Sequence, residues 1–311
     1  MLAARDIARA AADERGGEME STDTVILDGR YAQSRAASLS LIAELERSVA
    51  DKELKLPSLP DVVLRIRDRL ADETVSLGEI VELVGSDPAL SARLMQTANS
   101  ALFYRGNGPV TTLHMAVARL GFRMVRNVAL SLAAQQIFIG YETRAVHEPL
   151  SVIWRHSVHV AALAHRLARL KTDMNPEEAF LAGLLHEVGK LYIVMQCKDR
   201  PELAASEAFE GVVAQWHGRV GKVVIETWGL APELAAAVAG HETEPLEVAE
   251  PVGMTALVAV ANFLAEHVAR GGESLADCPP LGALSLDEET FGWLLKAGDV
   301  DIKMLMLAFG T

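Results

Sequence analysis

Ala179-Phe180-Leu181-Ala182-Gly183-Leu184-Leu185-His186-Glu187-Val188-Gly189-Lys190 lies within a segment, residues 177–196, whose apolar residues recur with helical periodicity. Drawn as a helix at ~100° per residue, the segment puts Leu181, Leu184, Leu185, Val188, Leu191, Tyr192 and Met195 on one broad apolar face. His186 falls nearly opposite, among Ala179, Ala182, Gly183, Gly189 and Lys190. Glycine costs a helix stability relative to alanine, so a face of such small residues implies that a backbone or a ligand is held closely against His186.

Working outward, three more histidines stand in separate predicted helices: His156, His217 and His241. Gly218 and Gly221 flank His217 on its helix, and Ala235 to Gly240 precede His241, so small residues surround these positions too. Imidazoles from several helices, with the carboxylate of Glu187 beside them, are the donors that borderline divalent metals take, and an open position on such a metal activates water. The plainer alternative stays open at this point. A buried histidine is often a satisfied core residue, and one at a helix C-terminus, as His241 would be, gains from the helix dipole without any metal. His159 and His165 follow His156 by three and nine residues, which makes no His-x-x-x-His pair and reads as solvated or interhelical polar positions.

The rest of the chain also reads as helix. Ser76 with Glu79 and Ser285 with Glu288 have capping-box spacing, and Asp87-Pro88 and Asn175-Pro176 each place a cap residue before a proline. Gly229 and Gly271-Gly272 follow apolar runs where a left-handed terminating residue is expected. Thr24-Val25-Ile26-Leu27 is the single stretch with strand character. These signals divide the chain into a leader over 1–52, a domain over 53–270 and a C-terminal helical appendage over 271–311, with an amphipathic helix around Phe291, Trp293, Leu294 and Leu295. Within the domain, 53–140 forms an N-terminal helical layer and 151–270 a second one. Leu94 and Leu184 are expected in the core and Glu82 at the surface.

Half of the 311 residues are hydrophobic and 23% are charged, which excludes disorder for most of the length. A net charge of −13 opposes general attraction to nucleic acid or anionic membranes. Cys197 and Cys278 stand far apart without metal or disulfide spacing, which makes a reducing cytoplasm the expected location. Arg5, Asp6 and Arg9 interrupt any signal-peptide core, and the apolar stretch Val252 to Ala265 is shorter than the ~20 residues that span a bilayer. Gly106-Asn107-Gly108-Pro109 is turn chemistry without the lysine of a phosphate loop. Neither a Gly-x-Ser-x-Gly elbow nor a dinucleotide fingerprint is present, so serine hydrolysis and hydride transfer have no foothold.

Two stretches resemble the N-terminal half of the HDOD domain, the HD-related output domain of bacterial signalling proteins. They are Asp87-Pro88-Ala89-Leu90-Ser91-Ala92-Arg93-Leu94-Met95-Gln96-Thr97-Ala98-Asn99-Ser100-Ala101 and Ala116-Val117-Ala118-Arg119-Leu120-Gly121. Trp154-Arg155-His156-Ser157, the run from Ala179 to Lys190, His217 with Gly221, Trp228-Gly229-Leu230 and His241 follow the order of that family's second half. The resemblance runs from about Leu56 to Ala265. It implies an all-α fold like that of the HD phosphohydrolases, with an additional N-terminal helical layer.

In catalytic relatives a histidine, a His-Asp pair and a later aspartate hold one or two metals, and a lysine one turn after the pair contacts substrate phosphate. His156, His186 and Lys190 match, and His217 and His241 fall where two-metal relatives add ligands. Glu187 stands where the pair has aspartate, Asn262 where the later aspartate is expected, and Glu242 where two-metal relatives carry a further histidine. The candidate metal residues are therefore His156, His186, Glu187, His217 and His241, with Lys190 a candidate phosphate contact and iron, manganese, zinc or nickel the candidate ions. Replacing an anionic ligand by a neutral amide weakens a cation site and its water activation together.

The function expected from this resemblance is a non-catalytic bacterial signal-transduction module acting through signalling-protein partners, with self-association open. The enzyme alternative is a metal-dependent phosphohydrolase acting on a nucleotide or cyclic dinucleotide. A purely structural helical scaffold is the third reading.

Overall fold

Side-chain caps start the helices where the sequence places them. Ser76 accepts a hydrogen bond from the Glu79 amide while the Glu79 carboxylate accepts from the Ser76 amide, a complete capping box. Asp87 accepts from the Leu90 amide, and Asn175 from those of Glu177 and Glu178, each ahead of a proline at the first helical position. Gly229 and Gly271 take φ of 65° and 81°, the left-handed conformation that ends a helix.

The computed structural model describes residues 37–242 except 52, 55, 57, 58, 104, 105, 107 and 205, then 253–271, 286 and 288–292. Among the described residues there are helices and no strands. The first layer comprises α1 (37–50), α2 (Asp61–Leu70), α3 (Leu77–Gly85), α4 (Pro88–Ala98) and the long α5 (Leu113–Phe138). The second comprises α6 (His147–Lys171), α7 (Pro176–Leu185), α8 (Val188–Met195), the short α9 (Pro201–Ala204), α10 (Glu207–Thr227), α11 (Pro232–Gly240) and α12 (Met254–Ala269). The expected strand at residues 24–27, the Ser285 cap, and Trp293, Leu294 and Leu295 lie outside the described residues. Phe291, in a helical turn at 288–292, is buried with α6 and α12.

One continuous apolar core joins the layers, and it includes Leu94, Leu184 and also Leu41 and Leu45 of α1. Glu82 is exposed. Helix α7 is buried on every side, with Ala179 through Leu185 all enclosed, so it is the axis around which α5, α6, α11 and α12 pack.

Two motif residues of the first layer serve the backbone. The Asn99 amide donates to the Met95 and Val110 carbonyls at 3.0 and 2.9 Å and accepts from the Val110 amide at 2.7 Å. Arg119 donates to the carbonyls of Ala98 and Gly108. Together they clasp the connection between α4 and α5. Gly121, with φ 75° and ψ 162°, interrupts α5 in a conformation that only glycine adopts readily.

The segment 177–196 is not the single helix its periodicity suggests. His186 and Glu187 form a break between α7 and α8. The small-residue face works as expected on both sides of it. A Cβ on Gly183 would come within 2.8 Å of the Ala161 backbone in α6, and one on Gly189 would collide with the His217 carbonyl in α10.

His165 is interhelical and buried. Its ring lies 5.4 Å from Phe103 and 6.4 Å from Phe180, and burial, with Arg169 and Arg166 nearby, pushes its imidazole down to about 3. The unfolded chain takes up this proton near pH 6.5 and the folded chain does not until near pH 3. Stability is therefore lost as pH falls through that window, at ~1.4 kcal/mol per pH unit from this group. Urea unfolding of His165→Leu and the parent at pH 7 and pH 5 should show the smaller acid loss in the variant. Equal losses would overturn this assignment.

Candidate metal centre

Four helix-borne segments bring the predicted residues together. His156 comes from the middle of α6, His186 and Glu187 from the break between α7 and α8, His217 from α10, and His241 from the residue after α11. Ring centroids are 5.2 Å apart for His156 and His186, 4.8 Å for His186 and His241, and 5.2 Å for His217 and His241. Close approach of α8, α10 and α11 makes this convergence feasible. Gly189 lies against the His217 carbonyl, Gly218 against the Ala239 carbonyl and Gly221 against the Val238 side chain.

Each of three imidazoles is fixed by its own segment. His186 Nδ1 donates to the Gly183 carbonyl at 2.7 Å, His217 Nδ1 to Val213 at 2.8 Å and His241 Nδ1 to Val238 at 2.8 Å. A carbonyl can only accept, so the proton sits on Nδ1 and Nε2 carries the lone pair. Nε2 of His186, Nε2 of His241 and Oε2 of Glu187 are buried and have no hydrogen-bond partner. Such orphaned atoms are costly without an occupant. Ligand atoms of His156, His186 and Glu187 lie within 4.8 Å of one another, and so do those of Glu187, His217 and His241. The donor set fits a divalent transition metal, with Glu187 common to both groups.

Burial pushes His156, His186 and His217 below the ordinary histidine value, which keeps them neutral donors. Burial alone would raise the Glu187 carboxyl, but the Lys190 ammonium, 2.6 Å from its Oε1, holds it well below the usual carboxylate range. Burial alone would lower Lys190, and the carboxylates of Glu187 and Glu242 outweigh it and raise it.

Two placements differ from simple expectation. Lys190 Nζ lies 2.6 Å from Glu187 Oε1 and 2.7 Å from Glu242 Oε1, so the candidate phosphate contact is engaged by two carboxylates. Asn262, on α12, accepts from His156 Nε2 at 2.7 Å, so these two side chains satisfy each other. Glu242 is the participant that the residue-level reading left out of the candidate set. Its Oε2 lies 3.3 Å from His217 Nε2, and its adjacency to His241 was the available signal. His159 and His165 belong to neither metal-competent group among the described residues.

Comparison with known proteins agrees with this architecture. A protein of Treponema pallidum (strain Nichols) is 24% identical over 231 residues, covering 71% of this chain and 44% of that protein, so the chain spans less than half the length of this curated relative. Among solved structures, a candidate metal-dependent phosphohydrolase from Shewanella amazonensis SB2B superposes with a TM-score of 0.70 at 25% identity, over 88% of this chain and 99% of that one. An HDOD domain protein from Geobacter sulfurreducens gives 0.57 at 24% identity, over 88% and 97%. No described helix is long and apolar enough to cross a membrane. The HDOD domain model matches residues 56–244, most of the chain and helices α2 to α11, and the chain belongs to the HDOD domain family.

Proposed function

We propose that the protein is a non-catalytic regulatory module of bacterial signal transduction, working in the cytoplasm through protein partners and keeping the remnant of an HD-type metal centre. The observation that carries this reading is the Asn262–His156 pair. At the position where the family's enzymes are expected to carry an anionic ligand, this chain has a neutral amide already bonded to the first histidine. A divalent ion here would be held by Glu187 with His156 and His186, or by Glu187 with His217 and His241, the two groups whose ligand atoms converge. It would supply Lewis acidity, with less anionic support than in an aspartate-bearing site. A similar structure from Marinobacter aquaeolei VT8 is that of a candidate signal transduction protein, and at 21% identity the likeness extends to the fold.

The phosphohydrolase reading has one observation in its favour, the orphaned Nε2 and carboxylate atoms of two ligand groups that share Glu187. A hydrolysis assay separates the two. The parent, supplied in turn with manganese, iron(II), zinc and nickel, should turn over neither cyclic dinucleotides nor nucleoside phosphates above the metal-only blank. Metal-dependent hydrolysis that disappears in His186→Ala would overturn the non-catalytic reading.

A further inference from the structure

The second ligand group, Glu187 with His217 and His241, is paired with an ammonium. Lys190 is mostly buried, reaches Glu187 Oε1 and Glu242 Oε1 at 2.6 and 2.7 Å, and so stands between the only two carboxylates facing these histidines among the described residues. We propose that Lys190 is a built-in cation whose ammonium takes the place a second metal ion would need, limiting the centre to one divalent ion. This rests on the reading of the cluster as a metal centre.

Charge supports it. Glu187 and Glu242 carry two negative charges, Lys190 returns one positive charge, and neutral histidines add none. One divalent ion leaves the centre at +1, whereas two would leave it at +3 with an ammonium against the shared carboxylates. Burial magnifies such repulsion because water cannot screen it. The division of Glu187 agrees. Its Oε1 is bonded to Lys190 and lies 3.7 Å from His186 Nε2 and 3.9 Å from His241 Nε2, while the buried Oε2 has no hydrogen-bond partner and so retains a free lone pair for an ion. The lysine that family resemblance assigns to a substrate phosphate is here tied to the protein's own anions.

Metal stoichiometry tests this without any assay of turnover. Full-length protein freed of metal is dialysed against excess manganese(II) or cobalt(II), and bound metal per chain is measured by elemental analysis. The parent should hold one equivalent and Lys190→Met two. The double variant Lys190→Met/Glu242→Ala should return to one, because the second ion loses its exposed-side carboxylate. Lys190→Gln, which keeps a polar head of similar reach, should also hold two and serves if Lys190→Met fails to fold. Two equivalents on the parent, or the same number on the parent and the folded Lys190 variant, would overturn the proposal. One equivalent on both would leave the metal centre standing and remove only the role of Lys190. None on either would remove the metal centre as well.

Discussion

Gly189→Ala should lower stability by about 3 kcal/mol or more, the upper end of what overpacking does in a protein interior. The added methyl would drive into the His217 carbonyl, with the Gly221 amide 2.7 Å from the same Cβ. Backbone cannot rotate aside as a flexible side chain can. Relief requires α8 and α10 to separate, which pulls apart the packing that sets His186 beside His241. Gly211→Ala on the same α10 is the control. Its Cβ meets nothing within 4 Å and the position is exposed, so alanine should add about 0.5–1 kcal/mol through helix propensity. Denaturant midpoints should therefore move in opposite directions. Equal midpoints for the two variants would show that the close contact between α8 and α10 is wrong.

His186→Ala should weaken metal binding by more than ~100-fold, since even loss of an outer partner of a metal ligand costs 10–100-fold. His186 is the ring nearest the centroids of both His156 and His241, and its Nε2 lone pair has no other partner. In the opposite sense, Glu187→Asp combined with Asn262→Asp should tighten binding by about tenfold or more. The change adds an anion beside His156 and restores the shorter carboxylate that the family frame suits. Competition against a chromogenic chelator would measure all three proteins. An unchanged affinity in His186→Ala would place the ion elsewhere.

What the sequence made legible follows the range of the forces involved. Caps at Ser76, Asp87 and Asn175 depend on residues two or three positions away, and they appear where their spacing puts them. Gly183 and Gly189 signalled close approach because nothing but contact justifies glycine in a buried helix. The break at His186 was hidden, since apolar periodicity continues through it and no proline marks it. Gly121 was equally silent about interrupting α5. The partnerships inside the cluster were the least legible. Lys190 and Glu242 are 52 positions apart, and His156 and Asn262 are 106, so each pair is a product of helix packing with no local signature. The family resemblance supplied the histidines in order but assigned Lys190 to a phosphate, because it marks position 242 without showing that the glutamate there reaches Lys190.

The bonds from three Nδ1 atoms to carbonyls of their own segments have a thermodynamic consequence for signalling. These imidazoles are held by bonds within their own segments, so their orientation needs no ion, and a ligand shifts an equilibrium only by its difference in affinity between two states. Occupancy would then register in the balance between folded and unfolded chain. At a hundredfold excess over its dissociation constant an ion adds ~2.7 kcal/mol to folding. An ion held at these histidines would in that way act on the stability of the fold.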